Sequence, residues 1–439
     1  MTKVVKFGGS SLASAEQFKK VKEIITAEES RRFVVPSAPG KRFSSDTKVT
    51  DMLYGCYDLA VKGNDFSKEF EAIKERYNGI ISELGLKLSL DSEFEVIKAC
   101  FIGKAGRDYA ASRGEFLNGM VLAEYLGYNF IDAADVIYFD DRGQFDAKRT
   151  NKAMTERLEG LDNAVIPGFY GSMPNDTIKT FSRGGSDVTG SIVAAAVNAD
   201  LYENWTDVSG FLTTDPRIVK DPAPITTITY KELRELSYMG AGVLHEDAIF
   251  PVRKAGIPIN IRNTNKPEDQ GTLIVESTSQ KPAYTITGIA GKKGFTVINI
   301  EKDMMNAELG FGRKVLEVFE KNGVSFEHMP SGIDTMSIVV QQETFADKEQ
   351  EILAGLHRNC HPDAIEIETD LALIAVVGRA MKANRGTAGR IFSALAHAHV
   401  NVKMIDQGSS ELNVIIGVSE DDFEKAVKAI YDIFVETKL

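Results

Sequence analysis

The last third of the sequence repeats itself. Displacing it by 76 positions sets Gly310 on Gly386, Val315 on Ile391, Leu316 on Phe392, Phe319 on Leu395, Val324 on Val400 and Phe326 on Val402. The match runs on without a gap, placing Gly332 on Gly408, Met336 on Leu412 and Ser337-Ile338-Val339-Val340 on Asn413-Val414-Ile415-Ile416. A repeat of this period is one supersecondary unit used twice. Apolar positions three and four apart followed by β-rich runs predict a β-α-β-β unit, with Phe345 to Leu356 and Phe423 to Phe434 as closing helices.

The front of the chain has another pattern. The β-rich run Lys3-Val4-Val5-Lys6-Phe7 breaks at Gly8-Gly9-Ser10-Ser11, and Phe18, Val21, Ile24 and Ile25 follow at helical spacing. A second β-rich run, Arg32 to Ser37, ends in Ala38-Pro39-Gly40. Strand, glycine turn, helix, strand opens a mostly parallel α/β sheet. Residues from Ser44 to about Tyr125 read as mostly helical. Strands resume at Tyr128–Asp132, Ala164–Phe169, Leu201–Trp205 and Ile257–Ile261, and a small-residue helix is expected over Ser191–Asn198.

Composition removes several classes of function. With 51 Lys and Arg against 63 Asp and Glu, the formal charge of −12 repels phosphate backbones and anionic membranes, so no nucleic-acid or membrane partner is expected. Cys56, Cys100 and Cys360 form no CxxC, and with the six histidines they make no metal-ligand cluster; no metal site of the protein's own is expected. No secretion signal or long apolar stretch is present, which fits a reduced, cytoplasmic protein.

Three constellations carry chemistry. The Gly8-Gly9-Ser10-Ser11 turn aims backbone N–H groups and a helix dipole at one point, with Lys6 adding a full charge. It is neither a P-loop nor a dinucleotide fingerprint, and a purely structural tight turn would use the same letters. Ser182-Arg183-Gly184-Gly185-Ser186-Asp187 offers a fork for a carboxylate and an anion for an ammonium, the two charges a zwitterion needs; an N-cap beside an Arg–Asp pair reads the same way. Trp205 to Gly210, followed by Thr213-Thr214-Asp215-Pro216-Arg217, suits either a nucleotide cleft or a surface turn.

In order, VVKFGGSSLAS from Val4, SRGEFLNG from Ser112, TFSRGGSDVTGS from Thr180, ENWTDVSGFLTTDPR from Glu203 and GAGVLHEDA from Gly240 resemble the aspartokinases of the amino acid kinase family, and the tandem tail resembles two ACT units. The resemblance covers essentially the whole chain. It implies an amino acid kinase domain over residues 1–282, a first ACT domain over 302–369, and a second built from 286–301 plus 370–439. It departs from some members at Phe211-Leu212, where a tyrosine is common, and at Gly242 and Asn265, where lysines are.

The implied reaction moves the γ-phosphoryl group of ATP, bound with Mg²⁺, to the side-chain carboxylate of L-aspartate, the first step toward lysine, threonine and methionine. Lys6 and Asp187 are the implied catalytic residues. Lys6, Gly8, Gly9, Ser10, Thr206, Asp207, Asp215 and Arg217 would hold ATP; Ser37, Thr50, Glu115, Arg183, Ser186 and Asp187 would hold aspartate. An amino-acid effector, lysine by resemblance, is expected near Met305, Phe311, Ser325, Glu327 and Asp334. A monofunctional enzyme is expected, assembled as a homodimer through the ACT units, with a tetramer as the alternative. Another ACT-regulated amino acid kinase and a catalytically silent amino-acid sensor are the competing readings.

Overall fold

The opening run forms β1 (Lys3–Phe7), buried along its length, and the first half of the chain winds back and forth around it. A computed structural model describes residues 1–182, 184–242, 244 and 246–437. Two compact units emerge: Met1–Phe211 with Pro224–Lys231 and Val243–Thr278, and Leu212–Ala223 with Glu232–Gly242 and Ser279–Leu439.

In the first unit β1 is followed by α1 (Ala15–Thr26), β2 (Arg31–Pro36) and four helices, α2 (Val49–Val61), α3 (Ser67–Glu83), α4 (Asp91–Ile102) and α5 (Arg107–Leu126). Then come β3 (Asn129–Phe130), α6 (Ala147–Leu158), β4 (Ala164–Val165), the hairpin β5 (Tyr170–Ser172) and β6 (Ile178–Thr180), α7 (Gly185–Ala196) and β7 (Leu201–Thr206). The last elements are β8 (Thr227–Thr229), α8 (Tyr230–Tyr238), which runs on into the second unit, α9 (Glu246–Ala255), β9 (Ile259–Asn263) and β10 (Thr272–Val275). The sheet order is β3-β4-β2-β1-β7-β9-β10-β8, parallel except where β10 meets β9.

Sequence dictates these pieces locally. Ser14 accepts a hydrogen bond from the Gln17 amide to start α1, and Phe18, Val21, Ile24 and Ile25 are its buried stripe. The stretch expected to be helical is α2 to α5, held by an aromatic cluster that includes Tyr57, Phe66, Phe70, Phe94 and Phe101. Helix α7 starts six residues before the expected Ser191. Gly184, at φ 57°, makes the left-handed turn that starts it, so Ser186 and Asp187 lie in its first turn.

The second unit holds a six-stranded sheet, β12-β13-β11-β14-β16-β15. Its elements are β11 (Gly288–Glu301), α10 (Phe311–Lys321), β12 (Phe326–His328), β13 (Thr335–Gln341), α11 (Gln342–Ala346) and α12 (Glu349–Cys360). After them come β14 (Ala364–Val377), α13 (Thr387–His397), β15 (Met404–Asp406), β16 (Asn413–Ser419) and α14 (Phe423–Tyr431). The two repeats share their long strands. Residues 288–293 of β11 pair with the second half of β14, while 295–301 pair with β13 and the first half of β14. Each repeat has its own apolar core, one including Ile298, Val315 and Ile338, the other Ile374, Ile391 and Ile416.

Those cores correct the ungapped alignment. Ile298 faces Ile338 and Ile374 faces Ile416, so the offset is 76 on the first strands and helices but 78 on the later strands. The second repeat has two extra residues between Val400 and β15. A slip of two keeps every strand residue on the same face, which is why the ungapped comparison still laid apolar on apolar.

Within the same unit, the Glu232–Gly242 segment is tied to the repeats. Glu232, fully buried, accepts from the Thr287 hydroxyl at 2.5 Å, the Arg379 amide at 2.8 Å and the Arg379 guanidinium at 3.0 Å. Asn413 donates to Glu235 at 2.6 Å, and Tyr238 donates its hydroxyl to Glu327.

Candidate active site

Strands β1, β2 and β7 lie side by side, and their carboxyl ends carry the residues that sequence reasoning singled out. Open parallel sheets bind ligands there, because the turns leaving the strands present unpaired amides to one crevice. The crevice is a cleft of about 570 Å³ lined by Gly8, Gly9 and Ser10 after β1, Ser37 to Lys41 after β2, Thr206 and Asp207 after β7, and Phe43, Ser44, Lys48, Thr50 and Glu115.

The turn after β1 is shaped by close approach. The Gly8 amide donates to Trp205 O at 3.0 Å, and Gly9–Leu12 forms a single short helical turn. The turn after β2 presses on it, the Gly40 amide donating to Gly9 O at 2.8 Å. A Cβ on Gly40 would stand 2.6 Å from Gly9 C, and one on Gly9 would stand 2.9 Å from Ala38 O, so both turns need glycine.

Lys6 is buried at the end of β1, its Nζ 2.6 Å from Asp187 Oδ1 and 3.5 Å from Asn204 Oδ1. A Cβ on Gly8 would lie 3.7 Å from that Nζ, which puts the ammonium group beside the glycine turn. Asn204, facing Lys6 across the β1–β7 ladder, donates to Asp187 Oδ1 at 2.8 Å. One carboxylate oxygen thus takes both partners, and Oδ2 has none among the described residues.

Glu115 is buried on α5, with Oε2 lacking a hydrogen bond among the described residues. Burial pushes its carboxyl up to about 8, opposed by the Ala38 and Glu115 amides and by Arg113 and Lys6. The Asn118 side chain, one helical turn along, donates to Ser37 O at 2.7 Å and fixes the end of β2.

The structure gathers Lys6, Gly8, Gly9, Ser10, Ser37, Thr50, Glu115, Asp187, Thr206 and Asp207 around this cleft and its Lys6–Asp187 pair. Ser186 packs against Gly168, where a Cβ would come 2.6 Å from its side chain. Arg183 lies outside the described residues, as do Val243 and His245 of the GAGVLHEDA stretch. Asp215 and Arg217 belong to the second unit and bind each other, with Arg217 Nη2 2.5 Å from Asp215 Oδ2.

Of the expected effector residues, Met305 and Phe311 are core side chains of the first repeat and can offer only backbone groups. Ser325 is exposed just before β12; Glu327 receives Tyr238 and Gln341; Asp334 caps the Met304 amide at 3.0 Å. Sequence reasoning missed Asn204 and the loop carrying Lys41, Phe43, Ser44 and Lys48. The available signal was three cations, Lys41, Arg42 and Lys48, just after a strand end.

Comparison with known proteins decides the family. The sequence profile of the amino acid kinase family matches residues 1–263, and that of the ACT domain matches residues 374–434. Aspartokinase 3 of Bacillus subtilis is 41% identical, over 98% of both chains. The chain belongs to the aspartokinases of the amino acid kinase family. Among solved structures, an aspartate kinase of Clostridium acetobutylicum, described as an allosteric enzyme, is 55% identical with a TM-score of 0.90, covering 98% of this chain and 99% of that one. Escherichia coli aspartokinase III, solved with lysine and aspartate in a T-state, is 25% identical with a TM-score of 0.74, covering 98% and 99%. As an aspartokinase, the chain phosphorylates aspartate at the expense of ATP and is regulated through its ACT units. No helix among the described residues is long and apolar enough to cross a membrane.

Proposed function

We propose that the cleft seats MgATP and L-aspartate together, with Lys6 and the Gly8–Ser10 amides on the phosphates and Thr206 and Asp207 on the nucleotide side. Ser37, Thr50, Glu115, Arg183, Ser186 and Asp187 take the amino acid, with Arg183 on the α-carboxylate and Glu115 and Asp187 Oδ2 on the ammonium. The observation that carries this reading is the Lys6–Asp187 pair beside the glycine turn. In this reading its cation meets the developing phosphoryl charge and its anion the ammonium of the zwitterion.

The side-chain carboxylate of aspartate is ionised at neutral pH, so no general base is needed. Its oxygen forms the new bond to the γ-phosphorus while the bond to the bridging oxygen breaks, releasing ADP and 4-phospho-L-aspartate. Catalysis is then positioning and charge neutralisation, supplied here by Lys6 and the turn amides. Asp207, exposed and hydrogen-bonded from Thr206 at 3.2 Å, would hold the Mg²⁺ carried by the nucleotide, and that ion would supply charge neutralisation at the phosphates. Asp215 and Arg217, whose ion pair belongs to the second unit, are not used in this reading of the cleft.

Lysine is the proposed effector, bound near Ser325, Glu327, Asp334 and the backbone of Met305 and Phe311. The ACT-type tail supports a homodimer, with a tetramer as the alternative, and the scattered free cysteines support a cytoplasmic setting. Trapping the acyl phosphate with hydroxylamine tests the reaction. Wild type should give the hydroxamate with ATP and aspartate and lose yield as lysine is added, and Lys6→Ala should give almost none; a normal yield from Lys6→Ala contradicts the site.

A further inference from the structure

The cleft's charge does not balance with Lys6 alone. That ammonium is already paired with Asp187, and the acidic residues lining the cleft are Glu115 and Asp207. A nucleoside triphosphate brings several further negative charges. The cations among the described lining residues are Lys41 and Lys48, both exposed and neither paired with an acid; the one hydrogen bond either ammonium makes among the described residues is from Lys41 to Ser44 O at 3.4 Å.

The loop that carries them is held firmly at its base. Arg76 of α3, almost fully buried, donates to Ala13 O at 2.9 Å, Gly40 O at 2.7 Å and Asp46 Oδ2 at 2.8 Å. One guanidinium therefore ties the end of the glycine turn to both ends of the 41–48 loop. Asp46 also accepts from the Arg42 amide at 3.0 Å and its guanidinium at 2.8 Å, and these bonds hold its carboxyl far below the usual range. Burying an ion pair costs desolvation, and here the pair sets the register between a turn and a loop whose own residues are exposed. Phe43 and Ser44, at the tip, line the cleft as well.

We propose that Lys41 and Lys48 form a second phosphate-binding pole, set by the Asp46–Arg76 clamp and acting on the polyphosphate of the nucleotide alongside Lys6 and the glycine turn. This rests on the reading of the cleft as the nucleotide site. The two ammonium groups act as exposed point charges, so their joint effect is moderate, salt-sensitive and larger for each added phosphate.

The test is calorimetric titration of the full chain with ATP, ADP and AMP, each with Mg²⁺, for wild type, the K41A/K48A double variant, K41R/K48R and Lys6→Ala, with the KM for aspartate measured alongside. Both lysines are exposed, so the substitutions leave the core intact. The double alanine variant should bind ATP roughly tenfold more weakly, with a smaller loss for ADP and least for AMP. Arginines should restore binding, and the loss should shrink in about 0.5 M salt. Unchanged ATP affinity in the double variant while Lys6→Ala weakens it overturns this inference alone. Unchanged affinity in both overturns the reading of the cleft. A rise in the aspartate KM with ATP binding intact assigns the loop to the amino acid and also overturns the proposal.

Discussion

Glu115 should make aspartate binding pH-dependent near neutrality. Its carboxyl, pushed up to about 8 by burial, is about nine-tenths protonated at pH 7 in the free enzyme. A substrate ammonium beside Oε2 favours the carboxylate, so binding must expel that proton. The sign follows: affinity for aspartate rises with pH and levels off above about 8. The protonation penalty is about tenfold in KM at pH 7 and about a hundredfold at pH 6, relative to the plateau. The same raised pKa opposes folding as the group ionises, so Glu115 favours the folded state fully below about 4.5 and loses that contribution as pH rises through about 8. Glu115→Gln should therefore abolish the pH dependence of KM, hold KM high, and resist unfolding better than wild type at pH 8. The assay is steady-state KM for aspartate from pH 6 to 8.5, with calorimetry in two buffers of different ionisation enthalpy to count protons released. A flat KM in wild type with no proton release refutes the reasoning.

Lys6→Ala should lower kcat by about two to three decades while changing the aspartate KM little, because the charge it meets is greatest in the transition state; a loss under threefold removes it from the mechanism. Asp187→Asn should raise the aspartate KM about ten- to a hundredfold, read in the same assay, since an ammonium loses a charged acceptor. Gly40→Ala should cost about 1 to 3 kcal/mol of stability and weaken ATP binding, seen by denaturant melts and titration, because its Cβ would meet Gly9 backbone at 2.6 Å. Glu327→Ala or Asp334→Ala should raise the half-inhibitory lysine concentration at least several-fold and leave uninhibited kcat near normal, measured by inhibition curves.

Much of the fold was legible because periodicity and turns are local. The strand-glycine-helix opening, the helices α2 to α5 and the doubled tail all follow from spacing that a short window contains. The two extra residues before β15 were invisible to it, since a shift of two leaves a strand's faces unchanged. The early start of α7 was missed because its first turn is glycine and polar, and only a left-handed Gly184 marks the start. In the site, glycine turns announce themselves, as does a lysine before one. Asn204 did not, because its role depends on the β1–β7 register that sets it opposite Lys6. Nor did the loop lysines, whose placement depends on Arg76, thirty residues beyond Asp46 and on another helix.

The most direct test of the central claim is a coupled assay of ADP release with aspartate, with glutamate and with no amino acid. ADP should form with aspartate and stay near background in the other two. Equal rates with glutamate, or ADP release that ignores the amino acid, would contradict an aspartate-specific carboxylate kinase built on Lys6, the glycine turn and Asp187.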